Sequence, residues 1–288
     1  MLVYFYIKIN KGGDILTIFQ TIIFALIQGV SELFPVSSVA HGVLTPYLFG
    51  WSLDPEFLKE HFMPFVVMLH LGTAVALLLF FGSEWISIIQ SIFTGNAKYR
   101  RLLNLIIVGT VPAAIIGLAL EKPIRYMFSN VTNAAVFLII NGFLLYWGEK
   151  LRHRGKKDIE ELSYRQAAII GFFQSLALVQ GFSRSGASMT AGFWMGLKHE
   201  ASVRFSLLLA TPIIVGAAIL EIPKLLHSNV AGLFEISLIG GVLSGIAAFI
   251  SVWLMMRWFH TNEVTAMRPF AIYCWLLGGS IVISRLFF

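Results

Sequence analysis

Apolar residues run through this chain in blocks too long for a soluble core, and the polar residues that interrupt them cluster at two places. Unbroken blocks of roughly 18 to 22 residues are enough to cross about 30 Å of hydrocarbon. They predict full helical spans at about 63–82, 102–120, 132–149, 203–222, 236–258 and 269–286. Two other blocks are split. The pattern is helical from Ile15 to Leu33, Pro35 breaks it, and a second short apolar piece runs from Ser38 to Phe49. Further on, a helical piece from about Arg165 to Val179 leads into a polar stretch, and a short apolar piece follows to Leu197. Neither split block makes a comfortable span with ionisable groups inside it. Each therefore predicts a re-entrant pair of half-helices, tolerated where protein or a wet cavity surrounds it.

The order of elements recurs. Sliding the chain by 146 residues lays Gln28 on Gln174, Ser37 on Ser183 and Ser38 on Arg184. Residues 15–149 and 165–286 read as two repeat halves of one membrane domain spanning 1–288. Residues 1–14 form a short flank, and the charged segment Glu149–Arg165 reads as a solvated boundary. Each half has an odd number of crossings, so the halves should lie inverted, a plan that brings broken helices together near the midplane. The expected fold is an all-α integral membrane protein of about six transmembrane helices plus two re-entrant hairpins.

Composition agrees. Hydrophobic residues make up 57% of the 288 and charged residues 12%, against about 25% charged in soluble domains. The net charge of +6 fits basic loops at an anionic leaflet, and no soluble basic domain is present to bind nucleic acid. Thirteen Lys and Arg residues fall on one face, from Lys98 to Arg268 in chain order, and seven on the other (Lys8, Lys11, Lys59, Lys122, Arg125, Lys224, Arg285). The richer face should be cytoplasmic, which places the mouth of the first hairpin outside. The single cysteine, Cys274, rules out an intramolecular disulfide and reads as a small buried hydrophobe. The apolar stretch Ile15–Ile27 runs straight into polar residues rather than a cleavage site, so no signal peptide is expected.

The two polar stretches carry the chemistry. Gln28–His41 reads QGVSELFPVSSVAH and Gln180–Ser188 reads QGFSRSGAS. Ionisable groups at membrane depth are expensive and mark candidate sites. The Arg184 guanidinium presents a fork matched to phosphate oxygens, and Ser183, Ser185, Gly181 and Gly186 allow hydroxyls and backbone N–H groups to close around an anion. The plainer alternative is an arginine snorkelling to the interface. Ser37 and Ser38 can cap a helix that starts after Pro35, and a helix N-terminus with hydroxyls is also an anion site. His41, three residues past Ser38, can share its face as base or nucleophile. Glu32 can hold a divalent cation beside a phosphate, or orient the histidine.

Together these stretches resemble the signature motifs of the undecaprenyl pyrophosphate phosphatase family of the bacitracin-resistance type. The family motifs read roughly E-G-x-x-E-F-L-P-V-S-S-T-G-H and P-G-x-S-R-S-G-x-T, and the resemblance covers essentially the whole chain. It implies hydrolysis of undecaprenyl diphosphate to the monophosphate and inorganic phosphate. The implied setting is the plasma (inner) membrane, with a site facing the periplasmic or outer side and a divalent cation such as Mg²⁺ or Ca²⁺. Residue by residue, it implies Glu32 as motif carboxylate and cation ligand, Ser38 and His41 as nucleophile or base, and Arg184 as phosphate ligand. Ser37, Ser183, Ser185 and Gln28 would complete the substrate contacts. The expected partners are a polyprenyl diphosphate lipid and the membrane, not nucleic acid, with a homodimer left open. The departures are Gln28 for the first motif glutamate, Val39 for threonine, Ala40 for glycine, Gln180 for proline and Ser188 for threonine. An amide at Gln28 removes one negative charge from the cation site.

Two rival readings differ in class. A transporter of polyprenyl phosphate or another anion, or a lipid-binding paralogue without hydrolase activity, would use the inverted repeat and the arginine equally well. It would need no nucleophile, so Ser38 and His41 favour the enzyme. The acid-phosphatase type of lipid phosphatase needs a histidine and then an aspartate soon after Ser-Arg. Here the next histidine is His199 and no aspartate follows, which disfavours it.

Overall fold

The computed structural model describes residues 16–53, 57–120, 130–150, 155–227, 232–261 and 265–287. The flank at 1–14 and the side chains of Lys8, Lys11, Lys59, Lys122, Arg125, Arg152 and Arg154 lie outside that description. The described elements are helical: α1 (Ile18–Ser31), α2 (Ser38–Phe49), α3 (Phe62–Phe80), α4 (Gly82–Thr94), α5 (Ala97–Ala119), α6 (Val131–Lys150), α7 (Tyr164–Gln174), α8 (Arg184–Trp194), α9 (His199–Leu226), α10 (Leu233–Thr261) and α11 (Arg268–Phe287). The chain is an all-α integral membrane protein. Six of these helices, α3, α5, α6, α9, α10 and α11, are long and apolar enough to cross a membrane.

α1 and α2 are 14 and 12 residues long, and α7 and α8 are 11 each. At 1.5 Å per residue, none of the four reaches across the hydrocarbon. Each pair begins with a capping box, where Thr17 and Gln20, and later Ser163 and Gln166, exchange side-chain and backbone hydrogen bonds. Two short helices followed by three long ones occur twice along the chain, with α4 inserted in the first set.

That insertion is one difference from the sequence reading, which left 82–102 without a helix. α4 carries Ile86, Ile89, Ile92 and Phe93 exposed on one side and Ile88 buried on the other. Glu84 in its first turn holds Arg204 of α9 through two hydrogen bonds. In the charged segment, the described residues 155–165 leave Lys156, Asp158, Glu161 and Arg165 exposed and are also anchored: Ile159 and Leu162 are buried, Arg101 donates to the carbonyls of Glu160 and Leu162, and Lys157 bridges to Leu197.

Long helices pack through small residues, as expected where lipid removes the hydrophobic drive between helices. α10 lies along α1 and α3, α11 along α6, and α5 along α7. Gly72 of α3 meets the carbonyl of Gly241 of α10 so closely that an added Cβ would stand 1.8 Å from that oxygen. Cys274 is buried and free, as expected.

Candidate active site

The two short pairs meet tip to tip, and α6 clamps them together. Asn141 is fully buried; its Nδ2 donates to the carbonyl of Pro35 at 3.0 Å, and its Oδ1 accepts from the backbone N–H of Ser183 at 3.0 Å. One amide thus holds both turns. Ser185 adds a third tie by donating to the carbonyl of Phe34 at 3.2 Å. The second turn passes against α6 at Gly181, whose φ is +109° and where an added Cβ would lie 2.4 Å from Phe137. Glycine is required there for both reasons.

The first turn is built to present Ser38. Ser37 sits at φ +66°, a left-handed conformation rare outside glycine. Its hydroxyl caps α2 by accepting from Ala40 N–H, and its carbonyl accepts from both the backbone N–H and the Nδ1–H of His41. Backbone strain of this kind persists only where neighbours hold it, and here His41 is the holder. Ser38, the next residue, opens α2 with its hydroxyl directed at α1.

Glu32 closes α1 and is the centre of the site. Its Oε2 accepts from the Ser38 hydroxyl at 2.5 Å and from Gln28 Nε2 at 3.2 Å, and lies 3.0 Å from His70 Nε2. Its Oε1 accepts from Arg184 Nε at 3.3 Å, a charged link between the two pairs. Arg184 Nη1 donates to the carbonyl of Ser206 on α9, while Nη2 is buried with no partner among the described residues. His70 lies on α3, and its Nδ1 bonds the carbonyl of Val66 at 2.8 Å. A carbonyl only accepts, so Nδ1 carries the proton and Nε2 is the nitrogen turned to Glu32 and Ser38, 3.5 Å from the hydroxyl.

These groups face a cavity of about 250 Å³. Glu32, Ser37, Ser38, His70, Ser183 and Arg184 line it, with Val66, Ala113 and Ile214 on its apolar walls. An apolar groove of about 440 Å³ between α3, α5 and α9 adjoins it, with Met63, Val67, Ala113, Leu178, Ile213 and Ala217 lining both.

The structure therefore brings together Gln28, Glu32, Ser37, Ser38, Ser183 and Arg184 from the sequence-predicted set. It does not bring in His41. Helical phase carries that ring to the other side of the first pair, where it stacks on Tyr273 of α11 and bonds its hydroxyl at 2.7 Å. That place is a separate cavity lined by Phe34, Phe270 and Tyr273. Ser185 is likewise buried in the junction of the two tips rather than in the cavity wall. Of the residues that the motif reading left out, His70 and Asn141 matter most. Each is a polar side chain inside an apolar helix, a signal present in the sequence but outside the two motifs.

Glu32 is the single carboxylate among the residues lining this cavity, and no trio of His, Cys, Asp or Glu converges among the described residues. Such a donor set does not make an all-protein cage. It fits the mode in which one carboxylate and substrate phosphates share a cation that keeps much of its water.

A family described as Bacitracin resistance protein BacA matches residues 21–280. A protein of Oenococcus oeni named Undecaprenyl-diphosphatase 2 is 53% identical over 267 residues, covering 93% of this chain and 98% of that one. Undecaprenyl-diphosphatase 2 of Chromobacterium violaceum is 47% identical over 265 residues, covering 90% and 95%. Undecaprenyl-diphosphatase of Acidiphilium cryptum is 44% identical over 268 residues, covering 90% and 94%.

Proposed function

The chain belongs to the bacitracin resistance protein BacA family, and on that premise we propose that it is an undecaprenyl-diphosphatase. It hydrolyses the diphosphate of a polyprenyl lipid to the monophosphate and inorganic phosphate. The observation that carries this is a polar cavity adjoined, across shared lining residues, by an apolar groove. Ser38, Glu32, His70 and Arg184 meet at its head, and the groove beyond is apolar apart from Thr110 and Glu221, suited to the first units of a prenyl chain.

In this reading Ser38 Oγ attacks the terminal phosphorus, and the bond from that phosphorus to the bridging oxygen breaks. Polyprenyl phosphate leaves, and the serine proton passes to Glu32 Oε2, which already accepts that hydroxyl's hydrogen bond; His70, beside the same oxygen, holds the carboxylate in place. Water then attacks the phosphoserine, releasing inorganic phosphate and restoring the hydroxyl. Arg184, with Nη2 uncommitted, neutralises charge that develops on the transferred phosphoryl oxygens. His41 holds Ser37 and through it aims Ser38, which makes it a positioning residue. A divalent cation, if engaged, would be held by Glu32, by the carbonyl of the Gln28 side chain and by the substrate itself, and would supply further charge neutralisation.

Both α1–α2 and α7–α8 are assigned as re-entrant pairs in the plasma membrane. The groove runs along residues 113–118 of α5 and 213–221 of α9, toward the helix ends on the face poorer in Lys and Arg. The positive-inside rule makes that face the outer one. The test is phosphate release from undecaprenyl diphosphate by the purified protein in detergent, with Mg²⁺, Ca²⁺ or EDTA. Cation-dependent release that Ser38→Ala removes is the expected result. No release from the wild type under any condition would overturn the reading in favour of lipid binding or transport.

A further inference from the structure

We infer that Gln174 is a further phosphate ligand of this site, a hydrogen-bond donor outside both motifs. The inference rests on the lipid-diphosphate reading. Gln174 ends α7, is 2% exposed, and lines the same cavity as Ser38, His70 and Arg184. Neither atom of its side-chain amide has a hydrogen-bond partner among the described residues, and both are closed to solvent. A buried amide left unpaired costs about 1–3 kcal/mol, and a leucine would fill the same space without that penalty. Packing therefore does not account for the glutamine.

The repeat explains how the amide came to be left over. Its counterpart 146 residues earlier, Gln28, spends Nε2 on Glu32. In the second half the position matching Glu32 is Leu178, which lines the same cavity. The second glutamine therefore has no carboxylate one turn on and no bonded acceptor among the described residues, and we take its acceptor to arrive with the ligand. Arg184 Nη2, on the same cavity, also lacks an acceptor. A diphosphate brings several oxygens at once and can satisfy both donors, which a single hydroxyl or amide could not. The amide is neutral, so it contributes to holding the phosphate rather than to neutralising charge in the transition state. Its loss should appear in KM more than in kcat.

The experiment uses the full chain in detergent, carrying Gln174→Leu or Gln174→Glu, with undecaprenyl diphosphate as substrate and inorganic phosphate as competing ligand. Gln174→Leu should raise KM and the phosphate inhibition constant about tenfold each, with kcat within about threefold. Its melting temperature should equal or exceed wild type, since an unpaired buried amide is gone. Gln174→Glu should weaken phosphate inhibition further, because a carboxylate repels the anion. Should Gln174→Leu fail to fold, Gln174→Met, close in shape, carries the same expectation. Wild-type KM and phosphate inhibition in Gln174→Leu would overturn the inference, as would a lowered melting temperature with KM unchanged. If the wild type released no phosphate, yet inorganic phosphate raised its melting temperature only with Gln174 present, the hydrolase reading would fall and the ligand assignment would stand.

Discussion

The tips of the two short helix pairs are related by the same 146-residue offset, yet they are finished in opposite ways. At the first tip the polar groups answer one another. Glu32 is engaged by Gln28, Ser38, His70 and Arg184, and His41 is spent on Ser37 and Tyr273. At the second tip Arg184 Nη2 and both amide atoms of Gln174 are buried without partners among the described residues. The amide of Gln180 is also buried and unpartnered, and nothing in the structure explains it. A satisfied network rigidifies, while unsatisfied donors in a low-dielectric cavity wait for an anion. In the function proposed above, the first tip is the reacting side and the second the binding side.

The largest break in that contrast comes from the Glu32–Arg184 pair, the ion pair between the tips. Arg184→Ala should lower turnover by about 10³-fold and stability by about 3–5 kcal/mol, since it strips a buried carboxylate of its charged partner. Phosphate release and thermal unfolding measure the two effects. Arg184→Lys sharpens the result by keeping charge without the fork, and unchanged turnover in Arg184→Ala would refute the site. Next in size, His70→Gln should slow turnover by about 10²-fold or more while leaving the fold intact. His41→Ala should act through Ser38's aim and reduce kcat by about tenfold to a hundredfold, with partial recovery in His41→Asn, which can still donate to the Ser37 carbonyl. A loss in His41→Ala greater than in His70→Gln would reverse their assigned roles.

Smaller effects come from the scaffold and the departures from the family motif. Asn141→Leu removes the two hydrogen bonds by which α6 holds the tips and should destabilise the protein by about 1–3 kcal/mol, with activity falling at elevated temperature before it falls in the cold. Gln28→Glu puts a second carboxylate beside Glu32. It should change kcat by less than about tenfold but lower the Mg²⁺ concentration needed for half-maximal rate. A titration of rate against Mg²⁺ checks this, and an unchanged midpoint would remove the cation from the first tip.

Much of the architecture was legible in the linear pattern, because lipid permits so few solutions. Backbone polar groups must bond within helices, so apolar block length locates the spans. Pro35 and the Gly181 turn mark where blocks break. Ser38–Phe49 emerged as a helix with the bounds its apolar run predicted. α4 escaped notice because an amphipathic helix of 13 residues is neither a span nor a motif.

By itself, then, the sequence determined the helical membrane class, the two interrupted pairs and the residue types able to handle phosphate, since all three follow from local composition and spacing. The tertiary structure alone decided which of those residues meet. Side chains three residues apart on a helix share a face only roughly, and helical phase within α2 turned His41 out while Ser38 stayed in. His70 entered from 32 residues further along, on another helix, and Asn141 from a third. Proximity in a folded chain is set by helix packing, and no spacing within a motif encodes it.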